Sequence, residues 1–251
     1  MQVHVLPALS DNYIFVLMKD DKTAVVDPGE AGPVIDFLSK EERKLDLILN
    51  THHHGDHIAG NDALIKKYGA QLVGPRAEKS RISGMKKTVG EGDVVKFAGT
   101  RAQVFETPGH TTGHIAFHFA EDGILFCGDT LFALGCGRVF EGTPAQMWDS
   151  LKKLRALPDG TMCYCGHEYT QGNAGFASTI DPENAALKQR VIDILRARSQ
   201  GLATIPFQLG EDKATNPFLR ADSPDLQAAI GMAGADATAV FAEIRAQKDK
   251  F

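Results

Sequence analysis

Cysteine is scarce in this sequence: four residues in 251, Cys127, Cys136, Cys163 and Cys165, with no Cys-x-x-Cys pair. That excludes a zinc ribbon and a thioredoxin-like motif and disfavours a disulfide framework. The thiols are expected to be reduced, buried and inert, as in a cytosolic protein. Long apolar runs are missing too. The stretch Tyr13 to Met18 falls far short of the roughly 20 residues that a bilayer span needs. The first twenty residues show no basic segment followed by an apolar one, and no small-residue cleavage site. Neither export nor anchoring is indicated, and a cytoplasmic location is expected. There is no excess of basic residues: 27 Lys and Arg against 32 Asp and Glu give a formal net charge of -5. Nucleic-acid binders usually carry the opposite balance. Internal repeats and low-complexity tracts are absent.

What is present is the pattern of an ordinary globular chain, long enough to bury most of its surface without a staple. Short apolar runs bounded by Gly, Asp and Pro fill the first two-thirds. They read as strands at Val3–Leu6, Tyr13–Leu17, Thr23–Val26, Leu45–Leu49, Gln71–Val73, Val94–Phe97, Ala102–Glu106, His114–Phe119, Gly123–Phe126 and Thr161–Tyr164. Helical spacing appears at Pro33–Ser39, Ile58–Tyr68 and Pro144–Leu157, the last introduced by Thr143 as N-cap. Beyond about residue 172 the alternation stops. Amphipathic helices are predicted over Pro182–Arg198 and from an Asp236 N-cap to Lys248. The expected organisation is a mixed α/β catalytic domain over residues 1–172 and a smaller helical, substrate-binding domain over residues 173–251.

The main chemical signal is Thr51-His52-His53-His54-Gly55-Asp56-His57, between an apolar strand and a helical segment. On an extended segment residues i and i+2 point the same way, so His52 and His54 can converge while His53 turns aside. Asp56 and His57, at the turn, can serve a second point nearby. Three further candidates stand just after strands beside glycine: His110, Asp129 and His167. A lone strand-end histidine is usually structural, and His4, His114 and His118 are read that way. The full pattern points to a metal site at the loops where strands end.

The motif His52-x-His54-x-Asp56-His57 with His110, Asp129 and His167 downstream resembles the metallo-β-lactamase superfamily. That resemblance implies a four-layer αβ/βα sandwich, here with a smaller C-terminal helical domain, and two divalent metals. By the same resemblance His52, His54 and His110 hold the first metal, Asp56, His57 and His167 the second, and Asp129 bridges both. Five neutral imidazoles, two carboxylates and a hydroxide against two divalent ions leave about one positive charge. Such a charge lowers the pKa of a bound water from about 15.7 towards roughly 7. The nitrogen and oxygen donors suit zinc, with iron or manganese as alternatives.

Closer stretches resemble the glyoxalase II (hydroxyacylglutathione hydrolase) family over nearly the whole chain. They are residues 9–13, 51–61, 107–114, 128–132, 135–138, 141–143 and 165–169, with Asn216–Arg220 and Arg245-x-x-Lys248-Asp249 in the C-terminal part. The resemblance implies hydrolysis of S-D-lactoylglutathione to D-lactate and glutathione, the second step of methylglyoxal detoxification. Catalysis is expected from Asp56 and Asp129 with the metals. Glutathione contacts are implied at Arg138, Phe140, Tyr169, Arg245 and Lys248. Arg138 stands where better-known members carry Lys, and Phe140 where they carry Tyr, which removes a hydroxyl contact. Gly55 replaces a common Trp. Arg245 and Lys248 share a helix face and can grip a carboxylate together. The expected partner is a small-molecule glutathione thioester, with no nucleic acid or membrane, and the protein is expected to be a monomer. The competing reading is a phosphodiesterase or nuclease of the same superfamily, which would want a basic groove. A structural metal module would have a closed four-ligand site.

Overall fold

The computed structural model describes all 251 residues, Met1 to Phe251. They form two compact units, one comprising Met1–Glu106 and Thr112–Gly128, the other Thr107–Thr111 and Asp129–Phe251.

In the first unit β1 (Gln2–Ala8), β2 (Asn12–Lys19) and β3 (Lys22–Val26) make an antiparallel meander, with Leu6 opposite Ile14 and Phe15 opposite Val26. β3 then pairs in parallel with β4 (Leu47–Leu49), β4 with β5 (Gln71–Pro75) and β5 with β6 (Lys87–Val89). Parallel neighbours need crossovers. The first contains α1 (Gly32–Lys40), and the second contains the single turn α2 (Gly55–Ile58) and α3 (Asn61–Tyr68). Asn12 to Leu17 are all buried because the sheet is covered on both faces. Ile14, Val16, Val25, Ile48 and Leu72 pack with Val34, Leu38 and Leu64 of the helices. Phe15 meets Phe126 of a second sheet, ring centroids 5.6 Å apart. Within this unit that sheet is an antiparallel run of β7 (Val94–Phe97), β8 (Thr100–Glu106), β9 (Ile115–Phe119) and β10 (Ile124–Gly128). Its outer strands are half solvated: Ala102 and Val104 are buried, Arg101 and Gln103 exposed.

In the second unit β11 (Leu131–Phe132) and β12 (Gly135–Cys136) form a short ribbon, and β13 (Met162–Cys165) pairs with β14 (Phe207–Gln208). α4 (Pro144–Arg155) opens with a capping box between Thr143 and Gln146, as the Thr-Pro start predicts. The rest is helical apart from β14: α5 (Thr170–Ile180), α6 (Ala185–Ser199), α7 (Leu209–Thr215), α8 (Pro224–Ala229) and α9 (Ala237–Lys250). Asp236 caps α9, accepting from the backbone N–H of Thr238 and Ala239. An aromatic chain of Trp148, Phe241, Phe218 and Phe176 joins α4, α9 and α5. The buried Arg190 donates to Asp212 at 2.6 Å, Asp212 accepts from Leu134 N–H, and Asn216 donates to the carbonyls of Phe132 and Gly135. The helical segment therefore braces the ribbon that follows Asp129.

The pattern-based expectation does not include the short elements β6, β11, β12, β14, α7 and α8, and three further departures have a specific physical cause. The helix expected over Ile58–Tyr68 is interrupted, because Gly60 N–H donates to Pro28 O instead of continuing one ladder. The helix expected from Pro182 begins at Ala185, where Asn184 accepts from Leu187 N–H. α5 was not expected: its Gly-, Ser- and Thr-rich sequence has weak helix propensity, and burial of Ala174, Phe176, Ala177 and Ile180 overrides it. No helix is long and apolar enough to cross a membrane. The four cysteines are free thiols, all buried. Burial pushes the Cys136 thiol up to about 11 and raises Cys163 and Cys165 as well.

Candidate metal centre

β4 delivers the chain into the loop that carries the histidines. The group that organises this loop is Asp27, at the end of β3 with φ of 49°. Its Oδ1 accepts Thr51 N–H at 2.8 Å, and its Oδ2 accepts the Thr51 hydroxyl at 2.6 Å and His57 Nδ1 at 3.1 Å. The Thr51 hydroxyl, its proton given to Asp27, accepts from His52 Nδ1 at 3.0 Å. This network assigns the Nδ1 proton to both His52 and His57 and turns both Nε2 lone pairs outward. His52 Nε2 lies 3.1 Å from His54 Nδ1, and the His52 and His57 rings are 4.2 Å apart. His52 and His54 therefore converge as the extended-segment argument predicts. His53 turns aside to Glu78, 3.1 Å away, and Arg81. Asp56 Oδ2 is 3.5 Å from His57 Nε2 and accepts from Asn12 Nδ2 at 2.9 Å. Gly29 allows this loop to close: a Cβ there would sit 1.9 Å from the Asp56 carbonyl oxygen. His114, read as structural, stacks on His52 with centroids 4.8 Å apart, in the turn just before β9. Asp27, His52 and His57 also offer ligand atoms within 4.8 Å of one another. The Asp27 oxygens are spent on Thr51 and His57, which makes Asp27 a positioning group.

The second unit gathers the remaining candidates around Asp129. His110 Nδ1 donates to the Arg138 carbonyl at 2.9 Å, so its Nε2 lone pair faces Asp129 Oδ2, 3.4 Å away. His167 Nε2 is 3.2 Å from the same oxygen. All three side chains are buried. A lone pair facing a carboxylate oxygen at this range is repelled unless positive charge lies between them, as a second ring proton or a metal ion. The donor set therefore fits a divalent metal, with nitrogen and oxygen ligands and no thiolate. Gly137 repeats the device of Gly29: a Cβ there would lie 1.9 Å from the Asp129 carbonyl oxygen. The Thr130 hydroxyl lies 3.0 Å from that of Thr107 and ties the His110 turn to the Asp129 turn.

The residues expected to touch substrate all lie in this second unit. Phe140 is 60% exposed, with its ring 5.3 Å from that of His110. Tyr169 is 41% exposed and stacks on His167 at 4.7 Å with the rings nearly parallel. Arg138 is exposed, its Nε donates to Asp249 at 3.3 Å, and its guanidinium lies over the Phe140 ring. Arg245 is buried, donating from Nη1 to Cys136 O at 2.9 Å and from Nη2 to Asp249 at 3.0 Å. Lys248 Nζ reaches Gly172 O and sits over the rings of Phe251 and Phe176. Burial and the neighbouring Arg245 lower its pKa.

Sequence reasoning missed Asp27, Asn12, Glu78 and the two glycines. A lone Asp before Pro28-Gly29 reads as turn chemistry, and nothing in its spacing reveals hydrogen bonds to residues 24 and 30 positions away.

Comparison with known proteins gives two family matches that together cover the chain from residue 7 onward. Residues 7–167 match the family model of the metallo-beta-lactamase superfamily, and residues 168–251 match that of the hydroxyacylglutathione hydrolase C-terminus. A hydroxyacylglutathione hydrolase of Methylococcus capsulatus is 48% identical over 253 residues, covering 100% of this chain and 99% of the relative. One from Rhizobium meliloti is 52% identical over 245 residues, covering 96% and 95%. Among solved structures, ETHE1 from Myxococcus xanthus superposes with a TM-score of 0.68 at 23% identity, over 99% of this chain and 98% of that one. That likeness bears on the fold, which agrees with the mixed α/β sandwich and helical C-terminal region expected from the sequence.

Proposed function

Since the chain belongs to the hydroxyacylglutathione hydrolases of the metallo-β-lactamase superfamily, we propose that it hydrolyses the thioester of S-D-lactoylglutathione, giving D-lactate and glutathione. His52, His54, Asp56 and His57 of the first unit, with His110, Asp129 and His167 of the second, would hold two divalent ions. His52, His54 and His110 would take one, Asp56, His57 and His167 the other, and Asp129 both. Zinc is our choice of ion, with iron or manganese as the alternatives that this donor set admits. The observation that carries the proposal is the fixed His110 tautomer, which aims Nε2 at Asp129 Oδ2 from 3.4 Å.

When bound, the two ions would supply Lewis acidity for the thioester carbonyl and acidify water. The protein groups do the rest. Asp56, held by Asn12 Nδ2, orients the attacking water and accepts its proton. Asp27 fixes the tautomers, directly at His57 Nδ1 and through the Thr51 hydroxyl at His52, so that both Nε2 atoms would be offered to a metal. Phe140 and Tyr169 wall the acyl end, and Arg138, Arg245 and Lys248 would take the carboxylates of the glutathione moiety. Water adds to the carbonyl carbon and the C–S bond breaks. The sulfur leaves as a thiolate, whose pKa near 8.5 makes a strong general acid unnecessary. In domain terms, we propose a catalytic domain over residues 1–172, which includes the contacts Arg138, Phe140 and Tyr169, and a helical substrate-binding domain over residues 173–251, which adds Arg245 and Lys248. We further propose a cytoplasmic monomer without nucleic-acid or membrane partners. The phosphodiesterase reading finds no support in the relatives that span the full chain.

The test is a kinetic comparison of S-D-lactoylglutathione with its neutral analogue esterified at both glutathione carboxylates, alongside metal analysis. We expect about two ions per chain and a KM at least tenfold lower for the acid form, the order of one or two charge-assisted contacts. Equal KM values for the two thioesters would end the proposal.

A further inference from the structure

We infer that Asp249 is an internal counter-carboxylate, which holds the cations of the second unit in place and competes with the substrate's own carboxylate for them. The inference rests on the proposal that the substrate is an anionic glutathione thioester.

Asp249 lies on α9 one turn beyond Arg245. Its Oδ1 accepts from Arg245 Nη2 at 3.0 Å and from Arg138 Nε at 3.3 Å. The two guanidinium groups differ in how they are held. Arg245 is gripped from behind, by Cys136 O on Nη1 at 2.9 Å and by the Phe218 ring 5.1 Å below its plane. Its Nε is buried with no hydrogen-bond partner. With Nε out of reach of solvent and Nη1 spent on Cys136 O, Nη2 is what remains for an arriving carboxylate, and Asp249 occupies it. Arg138 has no such backing. Its side chain is 57% exposed, and what holds it near is Asp249 on one side and the Phe140 ring, 5.8 Å away, on the other. Lys248 Nζ completes the group over the Phe176 and Phe251 rings, 5.3 and 4.9 Å away.

The plainer account of Arg245 and Asp249 is a helix-surface pair at spacing i, i+4, which contributes only a few tenths of a kcal/mol. Two features go beyond it. Arg245 is buried, where such a surface pair would leave it solvated. The same carboxylate oxygen also recruits Arg138, 111 positions away in sequence. A helix pair needs no third partner, whereas a clamp kept assembled between turnovers does. Asp249 thus lowers the entropy lost when a ligand carboxylate arrives, and it costs affinity by neutralising charge that the ligand would use. The second effect dominates when the charge is removed and the shape is kept.

The experiment is Asp249→Asn in the full chain. Asparagine keeps one acceptor oxygen and nearly the same volume. Both Arg138 and Asp249 are partly solvated, so the electrostatic gain is screened: we expect the KM for S-D-lactoylglutathione to fall roughly two- to fivefold. The Ki of glutathione as a product inhibitor should fall by a similar factor. The gain should be confined to the acid form of the thioester, and KM should rise more steeply with added salt than in the unsubstituted protein. A purely structural Asp249 predicts the opposite pattern, with KM and Ki for the anions unchanged or raised; that result overturns the inference. If the unsubstituted protein itself does not distinguish acid from esterified thioester, the substrate proposal fails and this inference fails with it. Discrimination in the unsubstituted protein without an Asp249→Asn gain removes this inference alone. Should the variant prove hard to handle, Asp249→Ser provides the same Ki measurement with the charge again removed.

Discussion

Replacing Asp27 by asparagine should damage the metal centre without touching a ligand. The residue has a positive φ of 49°, and asparagine tolerates that region as well as aspartate, so the backbone is not the source of any effect. The change is confined to hydrogen bonding. Asp27 receives three donors: Thr51 N–H at 2.8 Å, the Thr51 hydroxyl at 2.6 Å and His57 Nδ1–H at 3.1 Å. An amide in the same place offers one acceptor oxygen. Set toward Thr51 N–H, it leaves the amide NH2 facing two donors; flipped, it rescues those two and abandons the backbone N–H. At least one charge-assisted hydrogen bond in a site where Asp27 is buried is lost either way. Such bonds contribute about 1.5–3 kcal/mol each, so a stability loss of about 2–4 kcal/mol is expected. In the first setting His57 must also move its proton to Nε2, the atom offered to the metal. Losses of this kind lower metal affinity by about 10- to 100-fold. The assay is calorimetric zinc titration of the stripped protein, with chemical denaturation in parallel. If Asp27→Asn binds zinc as tightly as the unsubstituted protein and unfolds at the same denaturant concentration, the tautomer-setting role assigned to Asp27 is wrong.

Three further outcomes follow. Gly29→Ala and Gly137→Ala each place a methyl 1.9 Å from the carbonyl oxygen of Asp56 or Asp129; each should cost about 1–3 kcal/mol in thermal unfolding and reduce bound metal, and normal melting of both would contradict the packing argument. Asp222 is held below the usual carboxylate range by its two-pronged hydrogen bond with Arg155. Its stabilisation is complete above the unfolded value near pH 4 and vanishes as pH falls through the lower folded value. Asp222→Asn should therefore cost less than about 1 kcal/mol at neutral pH, the pair being partly exposed, and the gap should narrow as pH falls below the usual carboxylate range; a gap that does not narrow with acid would reject the linkage. The four buried thiols should resist Ellman's reagent in the native protein and react once guanidinium is added, with rapid native-state labelling as the contrary result.

The strands with both faces covered were legible as unbroken apolar runs, Tyr13–Leu17 above all, because burial on two sides removes alternation. The histidine motif was legible because spacing on an extended segment fixes direction, and His52 and His54 do converge. The caps at Thr143 and Asp236 were legible because an N-cap is a local hydrogen bond. What was not legible depends on distant partners. β14 exists only through pairing with β13, about 45 positions earlier. α5 is helical against its own composition because its small residues are buried. The break at Gly60 comes from Pro28, on the other side of α1 in sequence. Asp27 belongs to the same class, since one aspartate in a turn gives no local sign that it steers two imidazoles.

The Asp27 network has a consequence for how the centre is filled. Both imidazoles are already turned by their Nδ1 hydrogen bonds, so an ion would meet two Nε2 atoms set in advance. A chelator should be able to empty such a cradle and leave a folded protein behind. Nitrogen and oxygen donors of this kind would admit zinc, iron or manganese.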